Sequence, residues 1–121
     1  MTMKLKLFDS ELKIMEALWQ EGSMTAKQLV EKMKETTGWN KNTTYTVIKK
    51  CIAKGAVGRT EPNFLCTSLI SKAEVQAYEA DELVNKMFDG SAFSLFATLV
   101  DQKGLTPEEV ERLKQLVEQL K

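Results

Sequence analysis

Apolar residues recur along this chain first at helical, then at strand, then again at helical spacing, and the changes of period divide it into elements. The first helix is expected over Glu11–Gln20, capped by Asp9 or Ser10 and stopped by Gly22, with Leu12, Met15, Ala17, Leu18 and Trp19 favouring one side. Thr25 with Gln28 three residues on forms a capping box for a second helix that buries Ala26, Leu29, Val30 and Met33. Asn40 caps a third, which runs to about Ala53 and stops at Lys54-Gly55. The period then becomes extended: AVGRT, a turn at Glu61-Pro62-Asn63 and FLCTSLI predict a small hairpin. Ser71 with Glu74 opens a long helix to about Phe88, broken by Asp89-Gly90. A short apolar helix over Ser91–Val100 follows, and Thr106-Pro107-Glu108-Glu109 starts the last one.

The third helix has an unusual polar side. At 100° per residue from Asn42, the residues Thr44, Val47, Ile48 and Cys51 fall between about 140° and 240°, a face for the core. Opposite lie Asn42, Thr46 and Lys49, with Thr43 and Lys50 on one edge and Tyr45 on the other. Solvated helix faces ordinarily mix Glu with Lys, because opposite charges at i, i+4 support the helix. Here there is no acid at all. Short hydrogen-bonding side chains backed by lysines suit insertion between two rows of phosphates, where Asn and Thr reach base edges and Lys neutralises charge. Helix, turn, helix and then a hairpin is the order of a winged helix-turn-helix. Arg59, beside the hairpin turn, is placed either to touch phosphate or simply to solvate the wing.

Charge changes the picture only when it is taken by halves. The 121 residues carry 17 basic and 17 acidic side chains, a net charge of zero. Residues 1–70 hold 11 Lys and Arg against 7 acids, a net +4, and the rest hold 6 against 10, a net −4. Between Glu35 and Glu61 stand five basic residues and no acid. With 43% hydrophobic residues the chain can build a real core. Cys51 and Cys66 sit singly among apolar neighbours, with no CxxC and no histidine, so no metal site or cofactor is expected and the thiols read as buried in a reducing cytoplasm. No signal peptide or membrane span is apparent, which predicts a cytoplasmic protein without membrane insertion. No paired carboxylates, nucleophile with base, or glycine-rich phosphate loop supports an enzyme.

The second half has a pattern of its own. The long helix is expected to bury Val75, Tyr78, Leu83, Val84 and Met87, and the next helix carries Phe93, Leu95, Phe96, Leu99 and Val100. Three helices so short can hardly close a separate core, so pairing with a second copy is the economical solution. The fold class expected is mainly α: a winged helix-turn-helix of three helices plus a small β-hairpin over 1–70, followed by a three-helix dimerisation region over 71–121, with Leu83, Val84, Met87, Phe93, Phe96 and Leu99 at the interface.

The stretches ELKIMEALWQEGSMTAKQLVEKM, WNKNTTYTVIKKCIAKGAVGR and FDGSAFSLFATLVDQKGLTPEEVERLKQLV resemble the BlaI/MecI family of penicillinase and methicillin-resistance repressors, which includes the copper-responsive CopY repressors. The most specific elements are the LW ending the first helix, the W-x-x-x-T-x-x-T-x-I core of the third, and the GS…L…L(T/S)-x-E-E-x-x-x-L tail. The resemblance implies a homodimeric repressor that binds a dyad operator in double-stranded DNA. By position, Asn42, Thr43, Tyr45 and Thr46 match the family's groove-facing residues and Lys50 a basic residue of the same helix, while Lys41, Lys49 and Arg59 complete the expected DNA-binding set. Tyr45 stands where several members have arginine, so a bidentate guanine contact is lost there. CopY-type metal sensing needs C-terminal cysteine pairs, and residues 101–121 hold no cysteine. Penicillinase-type members imply release by cleavage of an Asn-Phe bond after a membrane sensor-protease is activated. Alignment through Gly90-Ser91 and Leu105-Thr106 puts Thr98-Leu99 there instead, so an inducing protease, if one acts, is a different one or answers a different signal. The competing reading is a winged-helix protein–protein interaction module without DNA binding, which would normally expose large apolar anchors on its third helix, where Tyr45 is the only aromatic.

Overall fold

The computed structural model describes residues 2–102 and 104–120. A 3-10 turn, Thr2–Leu5, leads to α1 (Asp9–Glu21), β1 (Met24–Thr25), α2 (Ala26–Thr37), α3 (Lys41–Ala53), β2 (Val57–Thr60), β3 (Leu65–Ser68), α4 (Lys72–Met87), α5 (Ala92–Asp101) and α6 (Pro107–Gln119). Mainly α with a small sheet, this is the class expected, and three helices followed by a wing is the winged-helix order.

Local chemistry sets the helix ends. Thr25 Oγ1 accepts the Gln28 N–H at 3.1 Å while Gln28 Oε1 accepts the Thr25 N–H at 2.9 Å. The same reciprocal box opens α4 through Ser71 and Glu74, and α6 through Thr106 and Glu109. The Ser71 and Thr106 N–H groups hold the Glu74 and Glu109 carboxyls below their ordinary range, so these boxes are complete at neutral pH and weaken in acid. Gly38, at φ 78, ends α2 with its N–H on the carbonyls of Met33 and Lys34, a left-handed stop that turns the chain into Asn40. The first helix departs from expectation. Its N-cap is Phe8 rather than Asp9 or Ser10, and the Glu11 carboxylate accepts the Phe8 N–H at 2.9 Å.

The sheet order is β1-β3-β2, all antiparallel. Arg59 pairs with Cys66 and Thr60 with Leu65 in the wing, and the two-residue β1, absent from the sequence reading, pairs Met24 with Cys66 and Thr25 with Leu65. The core gathers Ile14, Met15 and Leu18 of α1, Leu29 and Met33 of α2, Val47, Ile48 and Cys51 of α3, and Val57 and Cys66 of the wing. Of the side chains expected inside, Leu12, Trp19 and Val30 are half-buried. Trp19 explains itself: its indole N–H lies 3.1 Å from Ser68 Oγ and 3.0 Å from the Ile70 carbonyl, so the ring straddles core and surface.

Two compact units divide the chain, residues 1–79 and 80–121. The first turns of α4 belong to the winged unit because Val75 is buried in its core. In the second unit, no side chain of α5 or α6 is buried among the described residues. Leu83 and Met87 of α4, expected inside, are exposed, while Tyr78 and Val84 are half-buried. No helix among the described residues is long and apolar enough to cross a membrane.

One buried ion pair ties the winged unit together. Lys54, at the end of α3, donates to Glu11 of α1 at 2.5 Å and to the Lys6 carbonyl at 2.6 Å, and its ammonium lies 5.1 Å from the Phe8 ring centre. The two side chains are 13% and 4% exposed, so each charge depends on the other. Lys54→Met is expected to cost about 3–5 kcal/mol by stranding the carboxylate, and the double change with Glu11→Met far less. Urea unfolding midpoints at unchanged slope check this. A single substitution no more costly than the double would show that the pair is not structural.

Candidate nucleic-acid interface

The face that the wheel picks out is set by what α3 buries on its other side. Thr44, Val47, Ile48 and Cys51 are all buried, and α3 packs against both α1 and α2. Asn40 Oδ1 accepts the Thr43 N–H at 2.8 Å, which fixes where the helix starts and therefore its rotation. The buried Thr44 hydroxyl donates to the Asn40 carbonyl at 3.1 Å, so it enters the core with its hydrogen bond made.

Lys41, Asn42, Thr43, Thr46, Lys49 and Lys50 are exposed, and Tyr45 is half-buried. An open depression is lined by Lys41, Asn42, Tyr45, Thr46 and Lys49, which brings five of the expected residues onto one surface. Thr43 and Lys50 lie on the flank the wheel gives them. Thr46 donates its hydroxyl to the Asn42 carbonyl at 2.9 Å, leaving its oxygen lone pairs as acceptors. Among the described residues nothing engages the Asn42 amide or the Lys49 and Lys50 ammonium groups, so a ligand would meet them without first breaking a contact.

Tyr45 and Arg59 are more constrained than the sequence indicates. The Tyr45 ring meets Phe64 edge to face, centres 5.7 Å apart, and Lys41 Nζ lies 6.0 Å from the Tyr45 centre. Arg59 lies with its guanidinium carbon 3.5 Å from the centre of the Phe64 ring and is ion-paired with Glu61. Phe64 and Glu61 were missed as members of this surface. A period-2 pattern marks Phe64 as a strand residue but cannot place it between two partners from different elements.

Other expected positions fall as follows. Leu83, Met87, Phe93, Phe96 and Leu99 are exposed and Val84 is half-buried in the second unit, and Thr98 lies exposed beside Leu99 on α5. Cys51 and Cys66 are free and buried. Burial pushes the Cys51 thiol up to about 12, aided by the Glu11 charge and opposed by Lys54, and burial pushes Cys66 up to about 11 against the pull of Arg59. Both thiols are therefore held protonated at neutral pH. No cluster of three or more metal-ligating side chains occurs among the described residues.

Comparison with known proteins bears on this surface. A family profile described as penicillinase repressor matches residues 7–119. The chain is 23% identical over 118 residues to the penicillinase repressor of Bacillus licheniformis, covering 96% of this chain and 92% of that one. It is also 23% identical over 114 residues to the methicillin resistance regulatory protein MecI of Staphylococcus aureus (strain N315), covering 93% of each. The solved DNA-binding domain of the repressor BlaI superposes with a TM-score of 0.55 at 24% identity, covering 61% of this chain and 93% of that domain. Bacillus licheniformis BlaI in its monomeric form, solved in complex with the blaP half-operator, gives 0.50 at 24% identity, covering 57% and 87%. At that identity the superpositions establish the fold, a winged helix.

Proposed function

Because the chain belongs to the penicillinase repressor family, we propose that it is a homodimeric transcriptional repressor that inserts α3 into the major groove of a dyad operator. The observation that carries this reading is the acid-free exposed face of α3, with Asn42, Thr46 and Lys49 at its centre. Asn42 and Thr46 are the base readers, Thr43 and Tyr45 border them, and Lys41, Lys49 and Lys50 neutralise phosphates. Arg59 lies on the wing beside this face, ion-paired with Glu61. The role is regulatory rather than enzymatic, as the family's name states.

The dimer reading rests on the second unit, where Leu83, Met87, Phe93 and Phe96 stay exposed in the single chain. Burying such side chains stabilises by about 25 cal/mol per Å², so a second copy is the partner that relieves them all at once. Two linked half-site contacts bind far better than one, and any cut that separates the halves releases DNA. The candidate bond Thr98-Leu99 lies in α5 among these residues, with a β-branched and an aliphatic side chain where the penicillinase-type site has Asn-Phe. Release by loss of the dimer is retained on this reading, under a protease or signal other than the β-lactam pathway.

Replacing Lys49 and Lys50 by Ala should weaken all duplexes alike and flatten the salt dependence, whereas Asn42→Ala or Thr46→Ala should erode discrimination by about 1–3 kcal/mol per lost base contact. Titrations on random-sequence and selected duplexes separate the two; wild-type binding by both classes would remove α3 as the reader. A fragment ending at Glu79 should fold, sediment as a monomer and bind DNA weakly, and a dimeric fragment would move the interface to the winged unit. After β-lactam exposure of cells, an immunoblot should show the chain intact. Cleavage at Thr98-Leu99 with derepression would overturn the altered-signal reading.

A further inference from the structure

The wing carries a contact that works against the proposed DNA-binding surface. Arg59 is the only basic residue of the β2–β3 hairpin, and its guanidinium is held on two sides, by the Phe64 ring face at 3.5 Å and by the Glu61 carboxylate. Phe64 has φ 51, a left-handed conformation that bulky residues rarely adopt. Its carbonyl accepts the Ala26 N–H, the first of α2, at 2.9 Å. Phe64 thus bonds α2 through its main chain, while its ring meets Tyr45 of α3 edge to face and lies against the Arg59 guanidinium of β2.

We propose that Glu61 limits the affinity of this protein for DNA by holding Arg59 on the Phe64 platform and away from phosphate. The proposal rests on the DNA-binding reading of α3 and deepens it. Glu61 and Arg59 are 56% and 43% exposed, so the pair sits at the surface where a phosphate would arrive. A phosphate and a carboxylate compete for the same planar fork of donors, and both cannot hold it fully. Glu61 also sets a negative charge beside the incoming backbone. An exposed pair of this kind shifts an equilibrium by no more than about fivefold, so the device trims binding without abolishing it. It acts on every duplex equally, because phosphate carries no sequence, and so it raises the share of affinity that must come from the bases read by α3.

The test is a two-residue cycle on a random-sequence duplex, which needs no knowledge of the operator. Glu61→Gln keeps the shape and removes the charge. In the full chain it should tighten binding a few-fold and steepen the log–log salt dependence by up to about 0.9, the increment for one more neutralised phosphate. In an Arg59→Gln background the same change should leave the salt slope where it was. An equal effect in both backgrounds would show that Glu61 acts only as a stray negative charge, and no effect in either would show that Arg59 is not restrained by it; both overturn the proposal. The double change Lys49→Ala/Lys50→Ala, measured alongside, keeps the two levels apart. If that variant weakens binding while Glu61→Gln does nothing, the clamp fails and the α3 reading stands. If it too binds as wild type, the α3 reading itself has failed.

Discussion

The burial of one side of α3 is the constraint from which the rest of the winged unit follows. Thr44, Val47, Ile48 and Cys51 cannot be rotated toward water without exposing two apolar side chains, Val47 and Ile48, each worth about 1.5–3 kcal/mol when fully buried, and a thiol whose ionisation burial already opposes. With that side fixed against α1 and α2, the opposite side has no freedom. Asn42, Thr46 and Lys49 face outward because Val47, Ile48 and Cys51 face inward. The proposed reading role needs this rigidity, since a rotation of a few tens of degrees would turn Asn42 away from the centre of the exposed face.

The same packing decides which charges remain free. Five basic residues between Glu35 and Glu61 form an acid-free run in the sequence, but the fold brings acids to two of them. Lys54 is neutralised by Glu11 from α1, inside the unit, and Arg59 by Glu61 at the surface. What stays available is Lys41, Lys49 and Lys50, all on α3. Lys54 gives up any role in binding and closes the far end of the helix instead, tying its last turn to α1 and to the Lys6 carbonyl. The positive potential is thereby concentrated on the helix rather than spread over the wing.

What was legible in the sequence is what depends on neighbours along the chain. The boxes at Thr25, Ser71 and Thr106 and the cap at Asn40 each join residues three apart, and the inward side of α3 follows from a single period. What was not legible joins residues far apart. The pairing of Met24 with Cys66, the Glu11–Lys54 pair and the edge-to-face contact of Tyr45 with Phe64 need the tertiary fold before they exist. Glu11 is a first-turn acid beside the macrodipole, and nothing local to it marks that it is also buried and paired with Lys54. In the second unit the period of Leu83, Met87, Phe93 and Phe96 was plain, whereas their burial was not, because periodicity marks a face without supplying the surface that covers it.

The split of charge between the halves gives the proposed interface its physical character. Seen from beyond a Debye length, about 8 Å at physiological ionic strength, the chain's charges sum to zero and exert little pull on a polyanion. At contact, only the side chains within that distance count, and there α3 presents lysines with no acid among them. Attraction therefore begins late in the approach and at one face. A uniformly basic protein would bind any duplex from a distance and would depend little on which bases it met. Here the acids of residues 71–121 bring the net charge to zero, and on the proposed reading discrimination is left to Asn42, Thr46 and their neighbours. Holding Arg59 on Glu61 carries the same logic to short range, because it withdraws one sequence-blind contact from the surface that the base-reading residues share.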